Sequence, residues 1–129
     1  MTKPHIRIVT ARIEVDGRFL ITQRNPHAVL PLLWEFPGGR VEDGESDENA
    51  LSRELVEKLG ISIQIGDLSM HVAHEYDSYH LDLLVYHAST ADTPEAKGVN
   101  DFRWVHPSDF GDYQFPGADQ QTVDALLGK

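Results

Sequence analysis

Alternating hydrophobic and polar positions predict a β-hairpin near the start of the chain. Residues 6–15 are rich in β-branched side chains, and residues 18–24 alternate again after the pair Asp16-Gly17. An Asp-Gly pair between two alternating segments is typical of a tight turn, so the two segments are expected to pair as antiparallel strands. Residues 25–33 lack a regular pattern and are predicted to form a loop.

A helix is predicted over residues 47–59, where leucines recur at every fourth position and form one apolar stripe. The stripe consists of Leu51, Leu55 and Leu59. Ser46 or Asp47 is suited to cap the start of this helix, and Gly60 is suited to end it. The sequence therefore predicts both ends of the helix as well as its buried face.

The other regular segments are short and mostly strand-like. Strands are predicted at 34–36, 61–65, 68–75, 79–87 and 102–105, a glycine-dependent turn at Pro37–Gly39, a loop at 88–100 and a second helix at Asp119–Leu127. This combination predicts an α/β (α+β) fold in which two main helices pack on a mixed β-sheet. A chain of 129 residues is expected to form one domain, over residues 1–129.

The composition narrows the possible partners and metal ligands. The chain has 11 basic and 21 acidic side chains and a net charge of −10, so it repels a nucleic-acid backbone and extended nucleic acid is not an expected partner. It contains no cysteine, so a metal would be held by oxygen or histidine. The longest apolar stretch, Leu83–Tyr86, is far too short to cross a membrane, and residues 1–10 lack a hydrophobic signal core. A soluble cytoplasmic protein without membrane partners is therefore expected.

Two acids on the predicted helix point to a divalent cation. Glu54 and Glu57 are three residues apart, so their carboxylates lie side by side and repel each other unless a cation lies between them. Mg²⁺ prefers such oxygen ligands, and Glu45 and the Gly39 carbonyl would add two more. Such a cation would neutralise a diphosphate and acidify an attacking water. The alternative is an ordinary solvated helix face, in which Glu54 forms an ion pair with Lys58.

The spacing around these acids resembles a known family signature. The segment from residue 39 to residue 61 reads GRVEDGESDENALSRELVEKLGI. It resembles the Nudix box, G-x5-E-x7-R-E-U-x-E-E-x-G-U with U an aliphatic residue, at every specified position except Lys58, where the family has its last glutamate. The preceding Trp34–Gly39, WEFPGG, resembles the lead-in of the MutT-type branch of that family. A weaker resemblance extends over nearly the whole chain.

The resemblance implies a Nudix-like α/β/α sandwich and a hydrolase. The implied reaction is hydrolysis of a nucleoside diphosphate-linked compound, often a nucleoside triphosphate to monophosphate and pyrophosphate. The implied cofactor is Mg²⁺, with Mn²⁺ as a substitute, and the implied partner is a small-molecule nucleotide. The implied catalytic residues are Glu54, Glu57, Arg53 and Glu45, and the implied metal ligands are Gly39, Glu54 and Glu57. Arg53 would brace the loop and the helix by hydrogen bonding to carboxylates.

Substrate contacts are expected at three positions outside the box. Arg24 matches a MutT-type phosphate contact, although a purely structural role for it is equally open. Asp119 precedes the last helix where MutT-type proteins read the base edge. As a carboxylate it would accept a hydrogen bond from an exocyclic amine such as cytosine N4, and it would repel a carbonyl edge unless protonated. Its alternative role is to cap the helix.

Aromatic side chains supply the third candidate contact. The residues that could stack on a base are Phe36, Trp34, Tyr79 and Tyr86. Aromatic residues at strand spacing are more often part of a core, which is the alternative for each of them. Phe36 is the member of this set predicted to contact the substrate. Together with Asp119 and the MutT-type resemblance, these residues predict a cytosine-type or damaged-base nucleotide as the substrate.

Two departures from the family pattern bear on the activity. Lys58 replaces a carboxylate and brings an ammonium that competes with a cation for Glu54 and Glu57. Gly98 occupies the position that corresponds to a glutamate several residues before Trp104 in the family. Weaker metal binding and weaker activity are expected from both. The alternative function is a catalytically impaired Nudix fold that binds a nucleotide or a protein partner.

Overall fold

A computed structural model describes residues 3–128, so the ends of the predicted domain, Met1, Thr2 and Lys129, lie outside the described residues. The strands are β1 (His5–Val15), β2 (Arg18–Gln23), β3 (Trp34–Glu35), β4 (Gly38–Arg40), β5 (Gln64–Glu75), β6 (His80–Ser89) and β7 (Asp101–Val105). The helices are α1 (Asp47–Leu59), α2 (Gly117–Leu126) and a short 3-10 helix (Pro107–Asp112) between β7 and α2. Within the described range no helix is long and apolar enough to span a membrane.

The strands form a mixed sheet with the central order β3-β2-β1-β6-β5. β4 pairs with β1, and β7 pairs with β2. β1 and β6 run parallel, from His5 opposite His80 to Ile13 opposite Ala88. β1 is antiparallel to β2 and β4. Because β1 lies between β2 and β6, it is at the centre of the sheet, and other elements can pack on both of its faces.

The alternation of β1 assigns one helix to each face of the sheet. Val9 and its odd-numbered neighbours pack in the same core cluster as the leucine stripe of α1. Ile8 lies on the opposite face, in a cluster that includes Ala118 of α2. Because successive strand side chains point to opposite faces, this division follows from the strand pattern. The result is an α/β/α sandwich with two main helices, which confirms the predicted fold class.

The hairpin and the first helix form as predicted. Asp16 and Gly17 have φ values of 52° and 79°, the left-handed conformation that a two-residue hairpin turn requires at both positions. α1 begins after Ser46, whose hydroxyl accepts a hydrogen bond from the Asn49 N–H at 3.1 Å. It ends at Gly60, which has a φ of 66°.

Three predicted boundaries are wrong. Gly38 and Gly39 form part of β4 instead of a turn, and glycine is needed there because a Cβ on Gly38 would lie 2.7 Å from the Thr10 Cα. Residues 61–63 of the predicted strand 61–65 are not in a strand, while residues 64–65 and the predicted strand 68–75 belong to one strand, β5, with register shifts around residues 65–70. α2 begins at Gly117, two residues before the predicted start at Asp119.

Candidate active site

Glu54 of α1 lies directly against Gly39 of β4. Glu54 is only 8% exposed, and a Cβ on Gly39 would lie 2.6 Å from its Oε1. The absence of a side chain at position 39 therefore allows the buried carboxylate to reach the strand. The contact places one of the two predicted acids beside the Gly38-Gly39 segment.

Arg53 connects the predicted acids to one another and to the preceding loop. Its Nε and Nη2 donate to the two carboxylate oxygens of Glu45, at 2.7 and 3.0 Å. Its Nη1 donates to Glu54 Oε1 at 3.0 Å and to Glu57 Oε2 at 3.3 Å. A further bond from Nη2 to the Arg40 carbonyl, at 3.1 Å, ties the guanidinium to the end of β4.

These bonds set the ionisation of Glu45. The pKa of Glu45 is lowered to about 2, chiefly by the hydrogen bonds from Arg53 and secondarily by the backbone N–H of Glu42. The pKa of Arg53 is raised for the same reason. Glu45 is thus held as a carboxylate at neutral pH, paired with a guanidinium.

Lys58 lies on the same side of α1 as Glu54. Its Nζ donates to the Gly38 carbonyl at 2.7 Å and lies 3.5 Å from Glu54 Oε2. The expectation that Lys58 competes for both acids is met only at Glu54, since the Glu57 side chain is 59% exposed and its ion pair is with Arg53. The two predicted acids therefore differ, because Glu54 is enclosed and Glu57 is open to solvent.

A cavity of about 380 Å³ lies between the α2 face of the sheet, the loop after β2 and the start of α2. Its charged and polar lining residues are Thr10, Arg24, Glu35, Arg40, Lys58, Tyr76, Tyr79 and Asp119. Gly38 and Gly39 form part of the wall, so Glu54 lies just behind the cavity. The cavity brings the predicted residues Arg24 and Asp119 together with the glycine segment and Lys58.

Arg24 is anchored at the cavity by protein groups. Its Nη1 donates to Glu35 Oε2 at 3.1 Å and its Nε donates to the Val29 carbonyl at 2.6 Å. The side chain is 28% exposed and borders the cavity. Arg24 therefore has the structural role that the sequence left open, and its contact with a phosphate stays a prediction.

Asp119 does not cap α2. The helix begins after Pro116 without a capping side chain, and Asp119 lies in its first turn. The carboxyl is 7% exposed and borders the cavity. Burial raises the pKa of Asp119 to about 8, and the nearby Glu35 adds to the increase, while a backbone hydrogen bond from Phe36 opposes it. Burial therefore favours the protonated form of Asp119 at pH 7, whereas the sequence suggested a carboxylate.

Most of the candidate stacking residues belong to the core. Phe36 is 1% exposed, and its ring stacks on Phe115 with ring centroids 5.8 Å apart. A ring without an open face does not stack on a base, so Phe36 contributes to the cavity as part of its wall. Trp34 packs edge-on against Tyr113, and Tyr86 donates a hydrogen bond from its hydroxyl to Asp47 at 2.9 Å. Of the predicted set, Tyr79 and Phe36 line the cavity.

Sequence reasoning missed Tyr76, Glu35 and Thr10. Tyr76 and Tyr79 flank the turn between β5 and β6, joined by a bond from the Tyr76 N–H to the Tyr79 carbonyl, and their rings lie 4.9 Å apart. The repetition of tyrosine on both sides of Asp77-Ser78 was the available signal. The Thr10 hydroxyl is buried at the cavity and has no hydrogen-bond partner among residues 3–128, which only the folded chain shows.

Comparison with known proteins decides the family. A family model described as a NUDIX domain matches residues 8–125. The chain belongs to the Nudix hydrolase family. This Nudix pyrophosphohydrolase is of the MutT-like branch, as the resemblance of its box and lead-in implied.

Two relatives of this Nudix hydrolase span nearly its whole length. It is 33% identical over 123 residues to the CTP pyrophosphohydrolase of Escherichia coli (strain K12), which covers 95% of this chain and 91% of that protein. It is 29% identical over 127 residues to the 8-oxo-dGTP diphosphatase of the same strain, with 98% of each chain covered. The crystal structure of a MutT protein from Methanosarcina mazei Go1 has the same fold, with a TM-score of 0.88 at 23% identity, covering 99% of this chain and 96% of that one.

Nudix hydrolases typically depend on a divalent metal. In residues 3–128 no three side chains of His, Asp or Glu are grouped as a metal site. The carboxylates of Glu54 and Glu57 nevertheless converge on one positive group, because both accept from Arg53 Nη1. Mg²⁺ commonly binds proteins through one or two carboxylates and completes its shell with water and substrate phosphates. Glu54 and Glu57 are therefore the carboxylates that would hold one such cation, and the Gly39 carbonyl stays a predicted ligand.

Proposed function

We propose that this Nudix hydrolase converts a nucleoside triphosphate to a nucleoside monophosphate and pyrophosphate. The proposal places the base beside Asp119 and the phosphates beside Lys58 and Gly39, at different parts of the wall of one cavity. The single observation that carries it is the buried Asp119 in the same cavity as the glycine segment that abuts Glu54. The relatives that act on CTP and on 8-oxo-dGTP support a nucleotide of this kind.

A neutral Asp119 favours a base edge with a donor next to an acceptor. A protonated carboxyl offers one O–H donor and one carbonyl acceptor, whereas a carboxylate only accepts. Cytosine presents N4–H beside N3, and an 8-oxoguanine presents N7–H beside O6, so each would form two hydrogen bonds with the acid. On its N7 and O6 edge, unmodified guanine presents two acceptors and would form one hydrogen bond, whereas its N1–H beside O6 and the N6–H beside N7 of adenine would also form two. Because relatives act on CTP and on 8-oxo-dGTP, we propose a cytosine-type or 8-oxidised purine nucleotide, read on these edges, as the substrate.

The chemistry follows from the acids behind the cavity. A divalent cation bound by Glu54 and Glu57 would neutralise phosphate charge and lower the pKa of the attacking water. The water oxygen forms a bond to phosphorus, the anhydride P–O bond breaks, and pyrophosphate leaves with the bonding electrons. Glu54, oriented by Arg53 and enclosed by Gly39, is the proposed acceptor of the proton that the water loses.

The test is a turnover assay over a panel of nucleotides. Pyrophosphate release from CTP, dCTP, 8-oxo-dGTP and dGTP would be measured with Mg²⁺ or Mn²⁺, beside Glu54→Gln as the inactive control. We expect kcat/KM for CTP or 8-oxo-dGTP to exceed that for dGTP roughly tenfold or more, because one hydrogen bond in a buried site is worth about 1–3 kcal/mol. Turnover no greater than that of Glu54→Gln for every nucleotide would refute the proposal.

Asp119→Asn and Asp119→Ala separate recognition of the base from catalysis. An asparagine amide also offers one donor next to one acceptor, so Asp119→Asn is expected to retain most of the preference. Asp119→Ala loses both groups and is expected to hydrolyse CTP, 8-oxo-dGTP and dGTP with similar efficiency. A preference that survives in Asp119→Ala would show that Asp119 does not read the base.

A further inference from the structure

Lys58 presents a fixed positive charge at the cavity wall. An ammonium has three N–H donors, and two of them are directed at protein oxygens, the Gly38 carbonyl at 2.7 Å and the Glu54 carboxylate at 3.5 Å. The side chain is 28% exposed and borders the cavity. One N–H of the ammonium is thus left over by these two oxygens, on a side chain that borders the cavity.

The loop between β6 and β7 holds the backbone of Lys58 in place. The N–H groups of Lys97 and Gly98 both donate to the Lys58 carbonyl at 3.0 Å. Gly98 packs so closely that a Cβ there would lie 3.2 Å from the Lys58 Cα and 3.4 Å from its Cγ. The two positions at which this chain departs from the Nudix pattern are thus in contact, and glycine at position 98 leaves room for the lysine stem.

The charge of Lys58 is suited to an anion. The chain as a whole carries a net charge of −10, yet Arg24, Arg40 and Lys58 all border this one cavity. Arg24 is engaged by Glu35 at 3.1 Å, closer than the 3.5 Å between Lys58 and Glu54. Lys58, whose ion pair is longer than that of Arg24, therefore keeps a donor that can bind a phosphate oxygen.

We infer that Lys58 binds a non-bridging phosphate oxygen of the substrate, and so supplies a positive charge that a carboxylate at this position could supply only by recruiting a divalent cation. The inference rests on the proposed function, since it assigns the phosphates of that substrate to this part of the cavity. It predicts that the protein retains affinity for a polyphosphate when divalent cations are chelated. It also predicts that a carboxylate at position 58 exchanges this affinity for metal binding.

The first experiment measures binding of inorganic pyrophosphate by calorimetry in the presence of EDTA. The wild-type protein is expected to bind pyrophosphate. Lys58→Met, which keeps an unbranched side chain one atom shorter and removes the charge, is expected to bind it at least roughly tenfold more weakly. Lys97→Met is the matched control, because Lys97 lies over Gly60 outside the cavity wall. It removes one positive charge close to Lys58 and is expected to bind like wild type.

Two results would overturn the inference. One is equal affinity of wild type and Lys58→Met for pyrophosphate in EDTA, which would leave Lys58 as a structural partner of the Gly38 carbonyl. The other is no measurable metal-free binding by the wild-type protein. Either result leaves the proposed function standing if the wild-type protein hydrolyses nucleotides with Mg²⁺, whereas absence of turnover refutes the proposed function by itself.

The second experiment measures Mn²⁺ binding to the protein alone by electron paramagnetic resonance. Lys58→Glu is expected to bind Mn²⁺ roughly tenfold more tightly than wild type, because it adds a carboxylate beside Glu54 and removes a competing ammonium. Lys58→Gln separates these two effects, since it removes the ammonium without adding a charged ligand. Unchanged Mn²⁺ affinity in Lys58→Glu would contradict the second half of the inference.

Discussion

Gly39 and Glu54 touch so closely that no other residue fits at position 39 without moving the acid. A Cβ on Gly39 would clash with both carboxylate oxygens of Glu54, and Glu54 is almost completely buried. The carboxylate is also held by Arg53 at 3.0 Å, so it has little freedom to withdraw. Strand β4 and helix α1 are therefore fitted to each other at the acid required by the proposed chemistry.

Gly39→Ala is expected to displace Glu54 and abolish most of the turnover. Because overpacking in an enclosed site costs typically 1–3 kcal/mol, the free energy of unfolding should fall by about that amount, measured by urea denaturation. Gly111→Ala is the control, since a Cβ there meets no atom within 4 Å. The double variant Gly39→Ala/Glu54→Ala should recover part of the lost stability, and strict additivity of the two changes would contradict the proposed clash.

The ion pair between Arg53 and Glu45 predicts a specific dependence of stability on pH. The pKa of Glu45 is about 2 in the folded protein, below its ordinary value of 4.5, so the pair contributes stability above about pH 4.5. That contribution is lost as the pH falls from 4.5 towards 2. Glu45→Gln and Arg53→Met should each show a smaller loss of stability than wild type between pH 5 and pH 3, measured by urea denaturation. Parallel pH profiles for wild type and Glu45→Gln would rule out this role of the pair.

The raised pKa of Asp119 predicts that stability changes with pH in the opposite direction. Its pKa is about 8 in the folded protein and well below that when unfolded, so the folded state binds the extra proton between about pH 4 and pH 8. The contribution of Asp119 to stability therefore declines as the pH rises through that interval. Asp119→Asn cannot titrate, and its stability relative to wild type should increase from pH 5 to pH 8, measured by chemical denaturation.

The same proton should affect recognition of the substrate. Above about pH 8 the Asp119 side chain becomes a carboxylate and loses its donor. The KM of the wild-type enzyme for its preferred nucleotide should therefore rise from pH 7 to pH 9, while that of Asp119→Asn should change less. Steady-state kinetics on both proteins at each pH provide the measurement, and coincident profiles would exclude a role for this proton in binding.

Tyr86 provides a test remote from the cavity. Its hydroxyl donates to Asp47 at 2.9 Å, and burial together with this bond raises the pKa of Tyr86 to about 12. Tyr86→Phe is expected to lower the free energy of unfolding by about 1 kcal/mol, since Asp47 keeps its bonds from Arg7. Nucleotide turnover should be unchanged. A large loss of turnover in a folded Tyr86→Phe protein would show that Tyr86 acts on the substrate.

The parts of the fold that depend on local signals could be predicted from the sequence. Helix α1 was predicted with its boundaries because Ser46, the leucine stripe and Gly60 are all close in sequence. The hairpin was predicted because Asp16-Gly17 is a strong turn signal. The prediction of a turn at Gly38 and Gly39 is wrong because glycine is needed there for close packing against Thr10 and Glu54, which are distant in sequence. Close approach between remote segments leaves no local pattern.

In the candidate site too, local sequence identifies some features, and contacts between distant residues determine the others. The spacing of the acids in α1 identified Glu54 and Glu57, but only the fold shows that Glu54 is enclosed and Glu57 exposed. The neutral state of Asp119 depends on burial and on Glu35, which the sequence places far away. Tyr76 reaches the cavity from the end of β5. Burial, ionisation and membership of the cavity depend on contacts between several elements, so the sequence of a single element does not predict them.

The segment between β6 and β7 limits which parts of this protein can be exchanged with those of its relatives. Its amide groups at Glu95, Lys97 and Gly98 bind the last carbonyls of α1, at Leu59 and Lys58, at 2.9–3.0 Å. The end of α1 and the conformation of this segment are therefore coupled, and the close approach of Gly98 to the Lys58 Cγ extends the coupling to the side chain at position 58. A chimaera that exchanges this segment without the end of α1 has to re-form these contacts between parts from two proteins.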